Sequence, residues 1–184
     1  MNILDLNERL NNMKGIYLGA FEAQHDGHDI IYQDINGKRD VGGDMMDIDL
    51  TPYDYIIATP PCNYWSRARG KSCSEYSKKT MHLLPDIIDK LIKIGKPFIV
   101  ENVKNAKRFK EHGLFDKSCF IVEFGRHTYW TNILVDFTGI EQRQDFKKHG
   151  NVILYSDMKN KEKHQGGFNV HNVIEYWIQL IERK

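Results

Sequence analysis

Cysteine is scarce in this chain: three in 184 residues, at positions 62, 73 and 119, and none in a Cys-x-x-Cys pair. That spacing excludes a disulfide framework and a cysteine-built zinc site, so no metal is expected. No apolar stretch reaches the length of a membrane span, and no leader-like segment opens the chain. The expectation is a soluble, cytoplasmic protein with no membrane partner. Net charge is scarce as well, 26 Lys and Arg against 25 Asp and Glu leaving a formal +1. Any nucleic-acid contact must then come from local clusters rather than a global field. Two basic clusters exist, Arg67-Ala-Arg-Gly-Lys71, and Lys104 with Lys107, Arg108 and Lys110. Each reads either as a solvated loop or as a phosphate-holding one. Internal repeats and low-complexity segments are absent, and the length suits a single domain over 1–184.

Proline is also rare, five in all, yet two stand together in Asp54-Tyr-Ile-Ile-Ala-Thr-Pro-Pro-Cys-Asn-Tyr-Trp-Ser66. Tyr55 to Ala58 is a short buried strand suited to the centre of a parallel sheet. Pro60 and Pro61 stop it, since neither offers an N–H to a ladder and each fixes its own φ. Cys62 is thereby delivered at a strand's carboxyl end, the edge where open α/β sheets hold ligands. Most cysteines are inert core fillers; that position favours chemistry instead. Lys96-Pro-Phe-Ile-Val-Glu-Asn-Val103 is a second such run, with a strand over Phe98 to Val100 closing in a carboxylate and an amide. Two neighbouring parallel strands would present Cys62 and Glu101 on one rim.

At these residues the chain resembles the DNA cytosine-carbon-5 methyltransferases, whose signatures are Pro-Cys-x-x-x-Ser and Glu-Asn-Val. They stand here as Pro61-Cys62-Asn63-Tyr64-Trp65-Ser66 and Glu101-Asn102-Val103. The resemblance implies an α/β fold: a Rossmann-like class I methyltransferase, with a mostly parallel central sheet, flanking helices and a single catalytic domain. It also implies a catalytic set of Cys62, Glu101, Asn102 and Ser66. Trp130-Thr131-Asn132 is similar to the strand end of small phage-type members, which makes Arg126 the candidate for the family's base-reaching arginine. Gln142-Arg143 is a weaker competitor for that role. The larger enzymes carry a target-recognition domain, for which few residues are left between Ile133 and His164.

Around these motifs the reading is coarser. Met1 to Lys14 fits a helix or a strand, Ile16 to Gly19 a strand, and Ala20 to Gln24 a short helix or a hairpin arm turning at His25 to His28. Asp29 to Asp34 is a strand ending in an acid. Gly70 to Lys79 is a polar loop, which the resemblance would make the segment closing over a flipped base. Leu83 to Ile94 has helical apolar spacing and stops at Gly95. Lys104 to Gly113 is a basic helix or loop. Ser118 to Gly125 and Thr128 to Leu134 are two strands joined by a turn, and Asn151 to Tyr155 is an edge strand. After Gly166-Gly167-Phe-Asn169-Val170 comes a terminal helix with Val173, Tyr176, Trp177, Leu180 and Ile181 on one face.

By resemblance the cofactor is S-adenosylmethionine, with Asp34 on the ribose, Asp44 near the adenine, and Gly19, Pro60 and Asn169 around the remainder. As acids in turns, Asp34 and Asp44 also have an ordinary structural reading. The family's Phe-x-Gly-x-Gly after the first strand is missing, although a ligand-hugging loop needs such glycines. Gly19 then opens a shortened loop, or binding is weak, or another donor is used.

The chemistry implied is nucleophilic. A thiolate of Cys62 adds to cytosine carbon 6 and makes carbon 5 an enamine carbon, while Glu101 holds N3 and the amine. Asn102 would orient the loop, and Arg126 would stabilise charge. A duplex base would have to be flipped out. An amino-methyltransferase is the nearest rival, but Thr59-Pro60-Pro61-Cys62 has neither the acid or amide before the prolines nor the aromatic after them. Other readings keep the cytosine chemistry with another one-carbon donor or a nucleotide substrate, or make the chain a non-catalytic nucleic-acid binder. DNA is the expected partner, with a homodimer or an accessory specificity subunit as further ones. Protection of a phage genome from restriction is the role such small enzymes suggest.

Overall fold

The computed structural model describes residues 13–20, 25–66, 75–104, 112–136, 140 and 165–183, with the backbone alone for 165–169. Seven strands lie among them: β1 Lys14–Leu18, β2 Asp29–Asp34, β3 Val41–Gly42, β4 Tyr55–Ala58, β5 Phe98–Val103, β6 Phe120–Phe124 and β7 His127–Thr131. The helices are α1 Glu75–Thr80, α2 Leu83–Ile94 and α3 Gln165–Glu182. All seven strands form one sheet in the order β3-β2-β1-β4-β5-β7-β6. The first five run parallel, and β7 is antiparallel to both β5 and β6. The strand order reverses between β1 and β4, so their carboxyl ends flank a crevice of the kind that holds ligands in open α/β sheets. This is the mostly parallel, Rossmann-like methyltransferase architecture expected from the sequence.

Strand alternation splits the core into two layers. Ile16, Leu18, Ile56, Ala58, Phe98 and Val100 share one cluster with Leu84, Ile87, Ile88 and Leu91 of α2. Tyr17, Tyr55, Ile57, Ile99 and Tyr129 share the other with Val173, Ile174, Trp177 and Ile178 of α3. Each such aliphatic side chain, fully buried, stabilises by about 1.5–3 kcal/mol. α2 stops at Gly95, whose φ of 75° no β-carbon-bearing residue adopts cheaply and whose N–H closes on the Leu91 carbonyl.

The Trp130-Thr131-Asn132 motif has a structural logic of its own. Trp130 Nε1 donates to the Leu114 carbonyl at 2.9 Å, and Thr131 Oγ1 accepts from Trp177 Nε1 at 3.1 Å. Asn132 takes the Phe98 N–H at 3.0 Å and gives its amide to the Lys96 carbonyl at 2.9 Å. Three consecutive side chains thus tie β7 to the β6 approach, to α3 and to the start of β5.

Several sequence expectations need correction. β1 and β2 pair in parallel, while the short helix or hairpin arm expected over Ala20 to Gln24 lies, but for Ala20, outside the described residues. The tail of the 70–79 loop is helical, as α1. β5 continues to Val103, so Glu101 and Asn102 are ladder residues rather than residues beyond a strand. The two-residue β3 was not anticipated, being too short to show a period. α3 already starts at Gln165, ahead of the Gly-Gly pair, and it buries Ile174 and Ile178 while Tyr176 is 38% exposed. Residues 1–12, 105–111 and 141–164, which include Gln142, Arg143 and the edge strand proposed at Asn151 to Tyr155, lie outside the described residues, as do most of both basic clusters. No helix among the described residues is long and apolar enough to cross a membrane.

Candidate active site at the carboxyl ends of β4 and β5

β4 and β5 pair in parallel through Ile56–Phe98, Ile57–Ile99 and Ala58–Val100. The register carries Thr59 and Glu101 to the same level, and the chain beyond β4 then turns through Pro60 and Pro61 to Cys62. The Cys62 carbonyl accepts from the Trp65 N–H at 3.0 Å and the Ser66 N–H at 2.8 Å, so Cys62 to Ser66 close a single helical turn. Trp65 anchors that turn, 1% exposed and edge-on to Tyr64 and His112. Asn102, also 1% exposed, fixes it from β5: its Nδ2 donates to the Pro60 carbonyl at 3.0 Å while its Oδ1 accepts from the Val103 N–H. Backbone polarity in the Pro-Pro segment, which has no N–H of its own to offer, is thereby satisfied by a side chain.

Cys62 is solvent-accessible. Desolvation by the surrounding loop, and next the nearby Glu101 carboxylate, push its thiol above the ordinary value, against a smaller backbone hydrogen-bond effect. The Tyr17 and Tyr129 hydroxyls are raised first by burial and then by the same carboxylate. Glu101 therefore sits electrostatically at the centre of Cys62, Tyr17 and Tyr129. Cys119 is likewise raised by burial, to about 11, so a raised thiol does not by itself mark a reactive one. Position at the rim does.

The residue missed in the sequence is His127. Its Nδ1 lies in hydrogen-bond contact with Glu101 Oε1, both side chains being largely buried. No local pattern announces it, since the contact depends on the antiparallel register of β5 and β7. Arg126 occupies the β6–β7 turn beside Gly125, is exposed, and accepts the Lys104 N–H on its carbonyl. It stands beyond Val103, two ladder residues past Glu101.

The expected cofactor residues line the neighbouring strand ends. Gly19, with φ 75°, follows β1, and a β-carbon there would lie 2.6 Å from the Thr59 carbonyl. Its carbonyl accepts from Thr59 Oγ1 at 3.1 Å. Glycine is thus required for β1 and β4 to approach at the crevice. Asp34 ends β2, buried, with two long contacts of 3.4 Å among the described residues, from Asn36 Nδ2 and the Lys38 N–H. Acceptor capacity is left over on that carboxylate. Asp44 is exposed and holds the Met46 N–H at 2.9 Å. Pro60 is buried. Asn169 falls within α3, but its side chain is outside the described residues. Gln33 was not foreseen: 1% exposed, it accepts the Gly19 N–H at 2.8 Å and donates to the Gly43 carbonyl. It holds together the loops that follow β1 and β3.

A comparison of the sequence with curated proteins finds no match. Among solved structures the chain is similar to one described as "delta-N METTL16 MTase domain", at 12% identity and a TM-score of 0.40, over 71% of this chain and 81% of that one. The family model described as C-5 cytosine-specific DNA methylase matches residues 7–143, a span that contains Cys62, Glu101 and His127. With that match across most of the chain, the protein belongs to the C-5 cytosine-specific DNA methylase family and is a DNA cytosine methyltransferase.

Proposed function

We propose that the protein methylates cytosine carbon 5 in DNA through a covalent adduct on Cys62, as a single catalytic domain with S-adenosylmethionine as donor. The observation that carries this reading is the placement of Cys62 and Glu101 at the carboxyl ends of adjacent parallel strands, close enough for the carboxylate to raise the thiol's pKa.

In this reading the Cys62 thiolate forms a bond to carbon 6, and the displaced π electrons make carbon 5 nucleophilic. Glu101 holds the ring at N3 and the exocyclic amine. His127 occupies Oε1, which leaves Oε2 for the base. When Glu101 carries a proton against N3, the negative charge that disfavours the thiolate is gone, so base binding and thiol activation are coupled. After methylation, transfer of the carbon-5 proton to a water molecule re-forms the carbon 5–carbon 6 double bond as the Cys62–carbon 6 bond breaks and the thiolate leaves. Asn102 and Ser66 keep the Cys62 turn in place, and Arg126 is assigned to charge near the base or its phosphates.

The strand-end residues fit an S-adenosylmethionine site. Asp34 has unspent acceptor capacity where ribose hydroxyls would arrive, and Gln33 sets the Gly19 and Gly43 loops around it. When bound, the cofactor supplies an electrophilic methyl group. Asp44 and Asn169 are assigned to the adenine and methionine ends.

Calorimetric titration with S-adenosylmethionine, followed by nucleoside mass analysis of treated DNA, tests the reading. Micromolar binding and 5-methylcytosine that disappears in Cys62→Ser are expected. Unmodified cytosine, or a product that Cys62→Ser still forms, would overturn it. Modified cytosine without S-adenosylmethionine binding would retain the base chemistry and refute the donor.

A further inference from the structure

On the α3 face of the sheet, five titratable side chains come together from opposite ends of the sequence. His25 and His28 come from the segment entering β2; His171, Glu175 and Glu182 come from α3. His25, His171 and Glu175 can each offer one ligand atom, all within 4.8 Å of one another. We propose that these three residues bind one zinc-class divalent transition-metal ion, which clips the segment entering β2 onto α3.

Four observations support the site. First, His25 Nδ1 already faces Glu175 Oε2 at 2.9 Å, and the two need part only to ~3.3 Å to share a tetrahedral ion at ~2.0–2.1 Å. Second, His171 and Glu175 are four residues apart on one helix, which stacks them on one face, and the His171 ring lies 4.4 Å from that of His25. His171 is exposed, so its ring can turn a nitrogen toward the shared point. Third, His25 is 3% exposed, so its side of an ion shared with Glu175 would be closed to bulk water.

Fourth, an outer shell is already built. Glu175 Oε1 accepts from Gln179 Nε2 at 3.1 Å and faces His28 Nε2 at 2.8 Å, and His28 Nδ1 in turn faces Glu182 at 2.9 Å. The backbone N–H of His25 donates to the Tyr32 hydroxyl at 2.7 Å, which fixes the segment that carries the ring. Carboxylate–histidine–carboxylate chains of this kind orient metal ligands. Two imidazoles and one carboxylate suit zinc and its first-row neighbours better than calcium or magnesium, which prefer all-oxygen cages. Three protein ligands leave a fourth position for water.

Cobalt(II) titration of the full chain, after dialysis against a chelator, reads the site directly through its visible absorption and does not depend on methyl transfer. One saturable equivalent per chain, displaced by zinc and accompanied by a higher Tm, is expected. His171→Ala changes an exposed residue and should keep the fold while weakening cobalt binding at least tenfold. His28→Ala, acting on Glu175 from outside, should weaken it about tenfold to a hundredfold, whereas His82→Ala, an exposed histidine elsewhere, should change nothing. Absence of saturable binding, or binding unaffected by both His171→Ala and Glu175→Gln, would show a hydrogen-bonded clamp with no metal and overturn the proposal.

Discussion

His127 and Glu101 meet diagonally across the β5–β7 ladder: Nδ1 of the histidine contacts Oε1 of the carboxylate, although the register pairs Glu101 with Tyr129 and His127 with Val103. Diagonal neighbours on one face of an antiparallel pair come within reach of long side chains. A hydrogen bond to a charged group is worth about 1.5–3 kcal/mol, equivalent to roughly tenfold to a hundredfold in rate. His127→Ala should therefore lower kcat by about that factor with little change in KM for DNA, because the histidine acts through Glu101. His127→Gln, which keeps a donor, should recover part of the loss. Equal damage from both variants, or a change confined to KM, would argue against a positioning role.

The raised thiol of Cys62 gives a signed pH dependence. Burial and Glu101 both favour the neutral form, so the thiolate fraction of the free enzyme is small at neutral pH and grows as pH rises through a pKa above the usual ~8.5. Alkylation of Cys62 by iodoacetamide, followed by peptide mass analysis, should accelerate with pH along that titration. Glu101→Gln removes the nearby negative charge and should shift the curve to lower pH while abolishing methyl transfer. An unshifted or upward-shifted curve would contradict the electrostatic coupling.

Asn102 is the latch between the two signature motifs. Asn102→Ala leaves the Pro60 carbonyl without its side-chain donor, a loss of about 1–3 kcal/mol at a buried site. Urea unfolding should show that destabilisation, and methyl transfer should fall further than stability alone explains because the Cys62 turn is released. A stable Asn102→Ala variant with full activity would remove the latch from the mechanism.

Gly19 combines a left-handed backbone with a tight approach to the Thr59 carbonyl. Gly19→Ala forces a β-carbon into that 2.6 Å gap, and the left-handed conformation alone costs an alanine about 1–2 kcal/mol. Lower stability in urea and weaker S-adenosylmethionine binding are expected together, since the same loop borders both strands. Unchanged stability would mean that the β1–β4 crevice opens easily.

Much of the site was legible because its residues are local. An apolar run stopped by two prolines identifies a strand end, and a second apolar run identifies a strand whose Glu-Asn close lies inside the ladder. The helix Leu83–Ile94 and its Gly95 stop were equally plain, as were Asp29–Asp34 and Tyr55–Ala58. What sequence did not show depends on register and on contacts between distant segments. His127 reaches Glu101 only through strand pairing, Gln33 spans two loops, and His25 meets His171 only once α3 has folded onto the sheet. The α3 face was misassigned at Tyr176, which shares a helical period with Val173 and Leu180 but is exposed, while Ile174 and Ile178 make deeper contacts.

Covalent capture addresses the Cys62 chemistry most directly. The full chain would be incubated with S-adenosylmethionine and a DNA oligonucleotide containing 5-fluorocytosine, whose fluorine cannot leave as a proton would and so blocks release of the thiolate. A protein–DNA species that survives denaturation is predicted, with mass spectrometry placing the link on Cys62 and a transferred methyl group on the base. No such species forming with wild type, or the same species forming with Cys62→Ser, would contradict it.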